Sequence, residues 1–201
     1  MMHISKRLVV IGISFLLLTA CGGNSSSQGD MYFQNQQYEE AIRAYESFLE
    51  TKPKNVKALY NRGRAYEEIG DLDQAEASFK RALESDKSNT QIMLSLSNLY
   101  HKKKSYELSL LYADNAVSIS GAPSTAYFMK GRAMHQLGNV NEALREYNAA
   151  IKMNPGNGQY YYYRGMLHQA TDKKQLACND LRKAVQLSFE GANEAVANYC
   201  Q

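Results

Sequence analysis

"YNRGRAYEEIGDLDQAEASFKRAL", residues 60–83, and "FMKGRAMHQLGNVNEALREYNAAI", residues 128–151, align without a gap at an offset of 68, twice 34. The register extends outward from these two stretches. Glycine recurs at Gly63, Gly131 and Gly165, and alanine at Ala41, Ala75, Ala143 and Ala177. Aromatics stand at Tyr45, Phe79 and Tyr147, with Ala82, Ala116, Ala150 and Ala184 three residues after that column. Pro53 and Pro155 close two of the units. A fixed period of this length signals a repeat architecture, in which one supersecondary unit is copied along the chain.

Within each unit, apolar and small residues recur at helical spacing on two stretches separated by Gly-Asp, Gly-Asn or Asp-Lys. A small residue on the first helix opposite a small one on the second lets the two backbones approach, and the aromatic of the second helix fills the space beside the contact. One hairpin cannot bury its apolar face, so neighbours stack into a superhelix with a concave groove. These columns resemble the tetratricopeptide repeat, a 34-residue helix-turn-helix unit. The resemblance covers residues 29–191 and implies an all-α, right-handed superhelical solenoid of about five units, 29–55, 56–89, 90–123, 124–157 and 158–191, with a capping helix over 192–201.

Two units depart from the pattern. The third has Ser97 for the Gly, Lys104 for the turn Gly, Ser109 for the small Ala and Ala113 for the aromatic, and its frame rests on Tyr100, Tyr106 and Ala116. It is expected to be the softest internal joint. The first keeps Gly29, Tyr32, Tyr38 and Ala41, but its opening half falls on GGNSSSQ, whose composition favours a flexible linker over helix. A short first helix is the expectation.

The question of what such a stack would hold turns on "YYYY", residues 160–163. Successive residues advance about 100° around a helix axis, so four in a row cannot share one core. Counted from Val56, Thr90, Ser124 and Gly158, they take positions 3 to 6. Position 3 collects Ala58, Ile92, Ala126 and Tyr160, and position 4 collects Leu59, Met93, Tyr127 and Tyr161, columns that pack the hairpin. Position 5 gives Tyr60, Leu94, Phe128 and Tyr162. The resemblance implies that positions 2, 5, 6, 9, 12 and 13 line the concave surface, which would make this column an apolar ladder along the groove. Beside it lie Asn61, Ser95, Met129 and Tyr163 at position 6, and Arg64, Asn98, Arg132 and Met166 at position 9. Apolar pockets beside amide and guanidinium donors suit a peptide or protein segment. The alternative is that position 5 packs successive first helices together with only its tips outward. Tyr160 and Tyr161 are thus assigned to the fold, and Tyr162 and Tyr163 to contact with a partner. Chaperone-binding members of the family grip a C-terminal carboxylate with Lys and Asn; Asn61 matches one part, but Gln91 and Ser95 stand where the next basic pair would be.

Position 7 repeats a base, Arg62, Lys130 and Arg164, and Glu146 and Asp180 lie sixteen residues after the last two. An ion pair within the hairpin follows, contributing under about 1 kcal/mol if exposed.

The N-terminus reads as a leader. Lys6 and Arg7 precede an apolar run, Leu8 to Thr19, too short to span a bilayer but suited to a secretory signal. Leu18-Thr19-Ala20-Cys21 resembles the lipobox of bacterial lipoproteins, which implies cleavage before Cys21, diacylglycerol on its thiol, acylation of its amine (palmitate or a related chain) and a lipid anchor. Residues 1–20 are then a type II signal peptide, and residues 21–28 carry the lipidated cysteine and a flexible tether of some 15 to 18 Å mean span. An ordinary signal cleaved near Ala20 is the alternative. Gly22 does not resemble the Asp-based inner-membrane retention signal, which favours the outer membrane of a bacterial cell envelope. Export leaves Cys178 and Cys200 as an even pair where disulfides persist. A bridge between them would close roughly twenty residues and stabilise the end by about 3 kcal/mol; two buried free thiols are the alternative.

Without Lys6 and Arg7, Lys plus Arg falls from 23 to 21 against 20 Asp plus Glu. That balance gives no basic face for nucleic acid. Of the histidines, His101 and His135 share position 12 in adjacent units, and two without a third ligand make a weak metal site. No phosphate loop, nucleophile elbow or Cys-x-x-Cys occurs. No cofactor or metal is expected, and no catalysis. Two function classes remain. One is an envelope adaptor or assembly scaffold that docks a protein segment in its groove. The other is a glycan- or small-ligand-binding lipoprotein using the Tyr-rich end, although Trp, the usual sugar-stacking residue, is absent.

Overall fold

The computed structural model describes residues 26–200. The leader, Cys21 and the first part of the tether lie outside them. Among the described residues there are eleven helices and no strand: α1 (Ser26–Gln34), α2 (Tyr38–Thr51), α3 (Val56–Glu68), α4 (Leu72–Ser85), α5 (Thr90–Lys102), α6 (Tyr106–Ser118), α7 (Ser124–Gln136), α8 (Val140–Met153), α9 (Gly158–Ala170), α10 (Lys174–Gln186) and α11 (Ala192–Tyr199). Each odd-numbered helix from α1 to α9 packs on the even-numbered helix after it, giving five hairpins. Successive odd helices also touch, α1 on α3, α5 on α7 and α7 on α9, so they form one layer of a solenoid.

The column of small residues is what closes each hairpin. A Cβ built on Gly63 would stand 2.6 Å from the Phe79 ring, and one on Gly131 would stand 2.9 Å from the Tyr147 ring. Both aromatics are fully buried. Glycine is therefore the residue that admits the aromatic, and the aromatic is what fills the space the glycine leaves. The hairpin starts are set locally: the side chains of Asn55, Asn89 and Asn157 accept from Ala58, Ile92 and Gln159 backbone N–H groups, satisfying donors that a helix start leaves open. Gly70 and Gly138 turn the chain with φ near +80°.

In the third hairpin the serines do what glycine and alanine do elsewhere. Ser97 and Ser109 are buried and exchange hydrogen bonds, each Oγ donating to the other's backbone carbonyl at 2.9 Å. Two hydroxyls inside an apolar joint are tolerable only because both are satisfied this way. Lys104 adopts the left-handed turn conformation at φ 58° in place of glycine. The joint with the preceding unit is charged: Lys103 reaches Asp73 at 2.8 Å and Glu76 at 2.7 Å, and Tyr100 donates to Glu76 at 2.7 Å.

The first hairpin differs from the sequence expectation at its start. Helix begins at Ser26 and takes in Ser27 and Gln28, which composition assigns to the tether. Tertiary contacts override propensity there. Gly29 is buried against the Tyr45 ring, and Asp30 accepts from Tyr45, Lys57 and Asn61. At nine residues α1 is nonetheless shorter than the other inner helices. At the far end, α11 lies on α10 through Ala192 and Ala195, and Cys178 is bonded to Cys200 with their Cα atoms 5.5 Å apart.

Candidate functional site

The inner layer of α1, α3, α5, α7 and α9 is where the partner-contact residues were expected, and the structure divides them. Leu94 is 5% exposed and Phe128 2%, so the middle of the position-5 column is sealed and no continuous apolar ladder runs along the groove. The reason is the following unit. Tyr160 stacks on Phe128 at 4.9 Å between centroids, and Tyr163 meets the same ring edge-on at 5.2 Å. Position 5 in these units packs successive inner helices together. Tyr60 and Tyr162 at the ends keep partial exposure. Gln91 Nε2 donates to the Tyr60 hydroxyl at 3.1 Å, and Tyr162 leans on Phe189 at 5.1 Å. Of the four tyrosines, Tyr160 is fully buried, with its hydroxyl 3.1 Å from Ser124 Oγ, whereas Tyr161, Tyr162 and Tyr163 are half-buried. Tyr161 thus departs from its expected place in the packed core, and the Arg164 guanidinium stands over its ring at 5.7 Å.

The expected polar donors are largely engaged with one another. Asn61 Nδ2 donates to Asp30 at 2.8 Å, so it is not a free amide for a partner. Arg132 Nη2 donates to Asn98 Oδ1 at 2.9 Å, joining equivalent positions of neighbouring units. Arg64 is exposed, with its guanidinium 4.6 Å from the Phe33 ring centroid. Met129 and Met166 are half-buried.

Asp30 is the residue that sequence reasoning missed. Burial acts to raise its pKa, and the hydrogen bonds from Lys57, Tyr45 and Asn61 outweigh it, holding the carboxyl below its ordinary range. It occupies position 9, the column of Arg64, Asn98 and Arg132, and the available signal was the complementary Lys57 and Asn61 on the next inner helix. A cleft of about 590 Å³ opens beside it, lined by Phe33, Tyr38, Arg64 and Glu68 among others.

What remains open to a partner on the middle of the inner layer is a recess of about 280 Å³ between α3, α5 and α7. Leu94 and Met129 give it an apolar floor, and Glu67, Gln91, Ser95, Asn98 and Thr125 its polar sides. Glu67 is held by Lys102 at 3.0 Å. The geometry suits an extended segment: one apolar side chain in the recess, and backbone groups against the amides and hydroxyls around it.

Of the position-7 bases, Arg164 pairs within its hairpin, Lys130 bridges its own hairpin and α6 of the preceding one, and Arg62 meets a serine in place of an acid. Arg164 makes two 2.7 Å hydrogen bonds to Asp180, and Lys130 reaches Glu146 at 3.3 Å and Asp114 at 2.7 Å. Arg62 donates to Ser78, in the same column, at 3.1 Å. Asp180 is 7% exposed, so this pair is not the surface bridge that the spacing alone suggests. Among the described residues no group of three or more His, Cys, Asp or Glu is placed to hold a metal ion.

Comparison with known proteins agrees with this architecture. A family model described as tetratricopeptide repeat matches residues 27–89 and 66–126, and a second, described as TPR repeat, matches residues 131–172. Tetratricopeptide repeat protein 13 of Homo sapiens is 23% identical over 151 residues, 75% of this chain and 14% of the relative. Protein O-mannosyl-transferase TMTC1 of Homo sapiens is 21% identical over 166 residues, 81% of this chain and 19% of the relative. The chain spans less than a fifth of either relative. Among solved structures, PilW, titled a widely conserved type IV pilus biogenesis factor, superposes with a TM-score of 0.74 at 20% identity, over 81% of this chain and 76% of that one. YrrB, titled a TPR protein with an unusual peptide-binding site, gives 0.68 at 23% identity, over 83% of this chain and 87% of that one. These likenesses establish the fold.

Proposed function

Because the chain belongs to the tetratricopeptide repeat family, we propose that it is a non-catalytic scaffold that docks a segment of a partner protein against its inner layer of helices. The observation that carries this is the recess between α3, α5 and α7, which opens on the middle of the inner layer with Leu94 and Met129 beside polar side chains. The tether to a membrane through a lipidated Cys21, and service in the assembly of a bacterial envelope complex, belong to the same reading. They rest on the sequence Leu18-Thr19-Ala20-Cys21 behind an apolar run, and on the fold shared with a pilus biogenesis factor. Among the described residues no helix is long and apolar enough to cross a membrane.

Photo-crosslinking residues placed at Gln91, Thr125 and Met129 in living cells test the docking surface, with Leu111 and Arg145 on outer helices as controls. The three inner probes are expected to capture one common protein that the outer probes do not. Capture from the outer helices alone would refute the assignment, and a ligand contacting only Tyr162 and Tyr163 would favour the glycan reading. Labelling with an alkynyl palmitate tests the anchor: signal should appear in the native chain and vanish in Cys21→Ala.

A further inference from the structure

In the first and fourth units one turn of the outer helix carries an exposed ion pair, Glu40 with Arg43 and Glu142 with Arg145, each at 3.0 Å. The second unit has Gln74 and Ala77 at these positions, and the fifth has Leu176 and Asn179. The third has Leu108 and Leu111 there, 41% and 50% exposed. Neither leucine belongs to the packing that holds α6, which uses Ser109, Ala113 and Ala116. Tyr112, one turn beyond Leu108 on the same side of the helix, extends the apolar stripe to an open cleft of about 340 Å³ between α4 and α6, which it lines with Leu83 and Lys87 among others. Two charges flank the stripe, Glu107 on α6 and Lys87 at the cleft. Both are exposed and, among the described residues, neither is in an ion pair.

Two leucines one turn apart at positions that other units give to an ion pair add nothing to the fold, and a contiguous apolar face of this kind marks an interaction surface. What flanks the leucines specifies the occupant. When two copies of α6 run antiparallel about a two-fold axis midway between residues 108 and 111, Leu108 of each copy meets Leu111 of the other. In the same register Glu107 of each copy meets Tyr112 of the other, with Lys87 beside it, and Asp114 falls opposite Ser105, so no like charges face each other along the helix. A partner of one sign would satisfy one of the two flanking charges and oppose the other, whereas a second copy satisfies both. We propose that the chain pairs with a second copy of itself through this face of α6. The contact lies on the outer layer, so the inner layer of both copies stays open, and the pairing is independent of what docks there.

Sedimentation velocity of the purified chain over a concentration series tests it. The apolar face is small, so pairing should be weak, with a midpoint on the order of 10 µM. Leu108→Glu with Leu111→Arg installs the ion pair that the first and fourth units carry; it should leave melting unchanged and raise the midpoint at least about ten-fold. Glu107→Lys and Lys87→Glu should each weaken pairing about five-fold. The two together restore opposite charges across the axis and should bring the midpoint back to within about two-fold of the native chain. In living cells the Leu111 probe should yield a crosslinked pair of this chain, a product distinct from a partner captured at the inner layer. Single chains at every concentration, a pair that survives Leu108→Glu with Leu111→Arg, or charge reversals that fail to compensate overturn the proposal. Capture of a different protein by the Leu111 probe, with no second copy, gives the face to another occupant and overturns it too.

Discussion

Gly63→Ala should destabilise the protein even though alanine is the better helix former. The new Cβ would lie 2.6 Å from Phe79 Cε1, 2.7 Å from Cδ1 and 3.1 Å from Cζ. Favourable carbon contacts begin near 3.5 Å, so the ring must withdraw by about 1 Å. It has nowhere to go, because Phe79 is fully buried, with the Tyr60 ring 5.7 Å away between centroids. Overpacking of this kind costs about 1 to 3 kcal/mol, against a propensity gain of about 1 kcal/mol for Gly→Ala in a helix. With two ring atoms closer than 3.0 Å the overpacking falls at the upper end of that range, and the net loss expected is about 2 kcal/mol, or roughly 4 to 8 °C in Tm for a domain of this size. Urea denaturation followed by circular dichroism measures it, and hydrogen exchange should place the loss in α3 and α4. Phe79→Leu in the Gly63→Ala background should recover part of the loss, giving a double-mutant coupling of about 1 kcal/mol. A Gly63→Ala chain as stable as the native one, or more so, would refute the view that the glycine is there to admit the ring.

Asp180→Ala and Arg164→Met should each cost about 3 kcal/mol, because each leaves a largely buried charge without its partner; chemical denaturation of both variants measures it. Glu76 gives an acid signature. Burial acts to raise its pKa, but hydrogen bonds from Lys103, Lys80 and Tyr100 bring it from 4.5 down to about 2. A depressed carboxylate stabilises the fold above its unfolded value and loses that contribution as pH falls from about 4.5 toward 2, so Glu76→Gln should flatten that part of the stability profile. Cys178→Ser with Cys200→Ser should lower stability by about 3 kcal/mol and raise exchange across α11, while unreduced native protein should weigh about 2 Da less than reduced protein.

The hairpins were legible because each contact that closes them needs two particular residue sizes at once. Gly63 with Phe79 and Gly131 with Tyr147 are sixteen apart in both cases, and that coincidence repeats at 68. The same logic exposed Arg164 with Asp180. The inner surface was less legible because the sealing of Phe128 is decided by Tyr160 and Tyr163 of the next unit, not by its own column. Asn98 and Arg132 look like two donors in sequence and act as one bonded pair in space. The start of α1 was misjudged for a related reason. Ser26 to Gln28 have poor helix-forming company, and what orders them is Asp30, which acquires its meaning only once Lys57 and Asn61 are brought to it.

Links between equivalent helices recur along the whole inner edge: Asp30 to Lys57 and Asn61, Tyr60 to Gln91, Glu67 to Lys102, Asn98 to Arg132, Ser124 to Tyr160. Each crosses from one repeat to the next, so the inner edge is stitched from end to end. Such a coil resists unwinding more than a row of independent hinges would. Cutting one stitch, as in Asn98→Leu, should alter the pitch of the spiral, visible as a longer maximum dimension in X-ray scattering, before it alters the melting of any single hairpin.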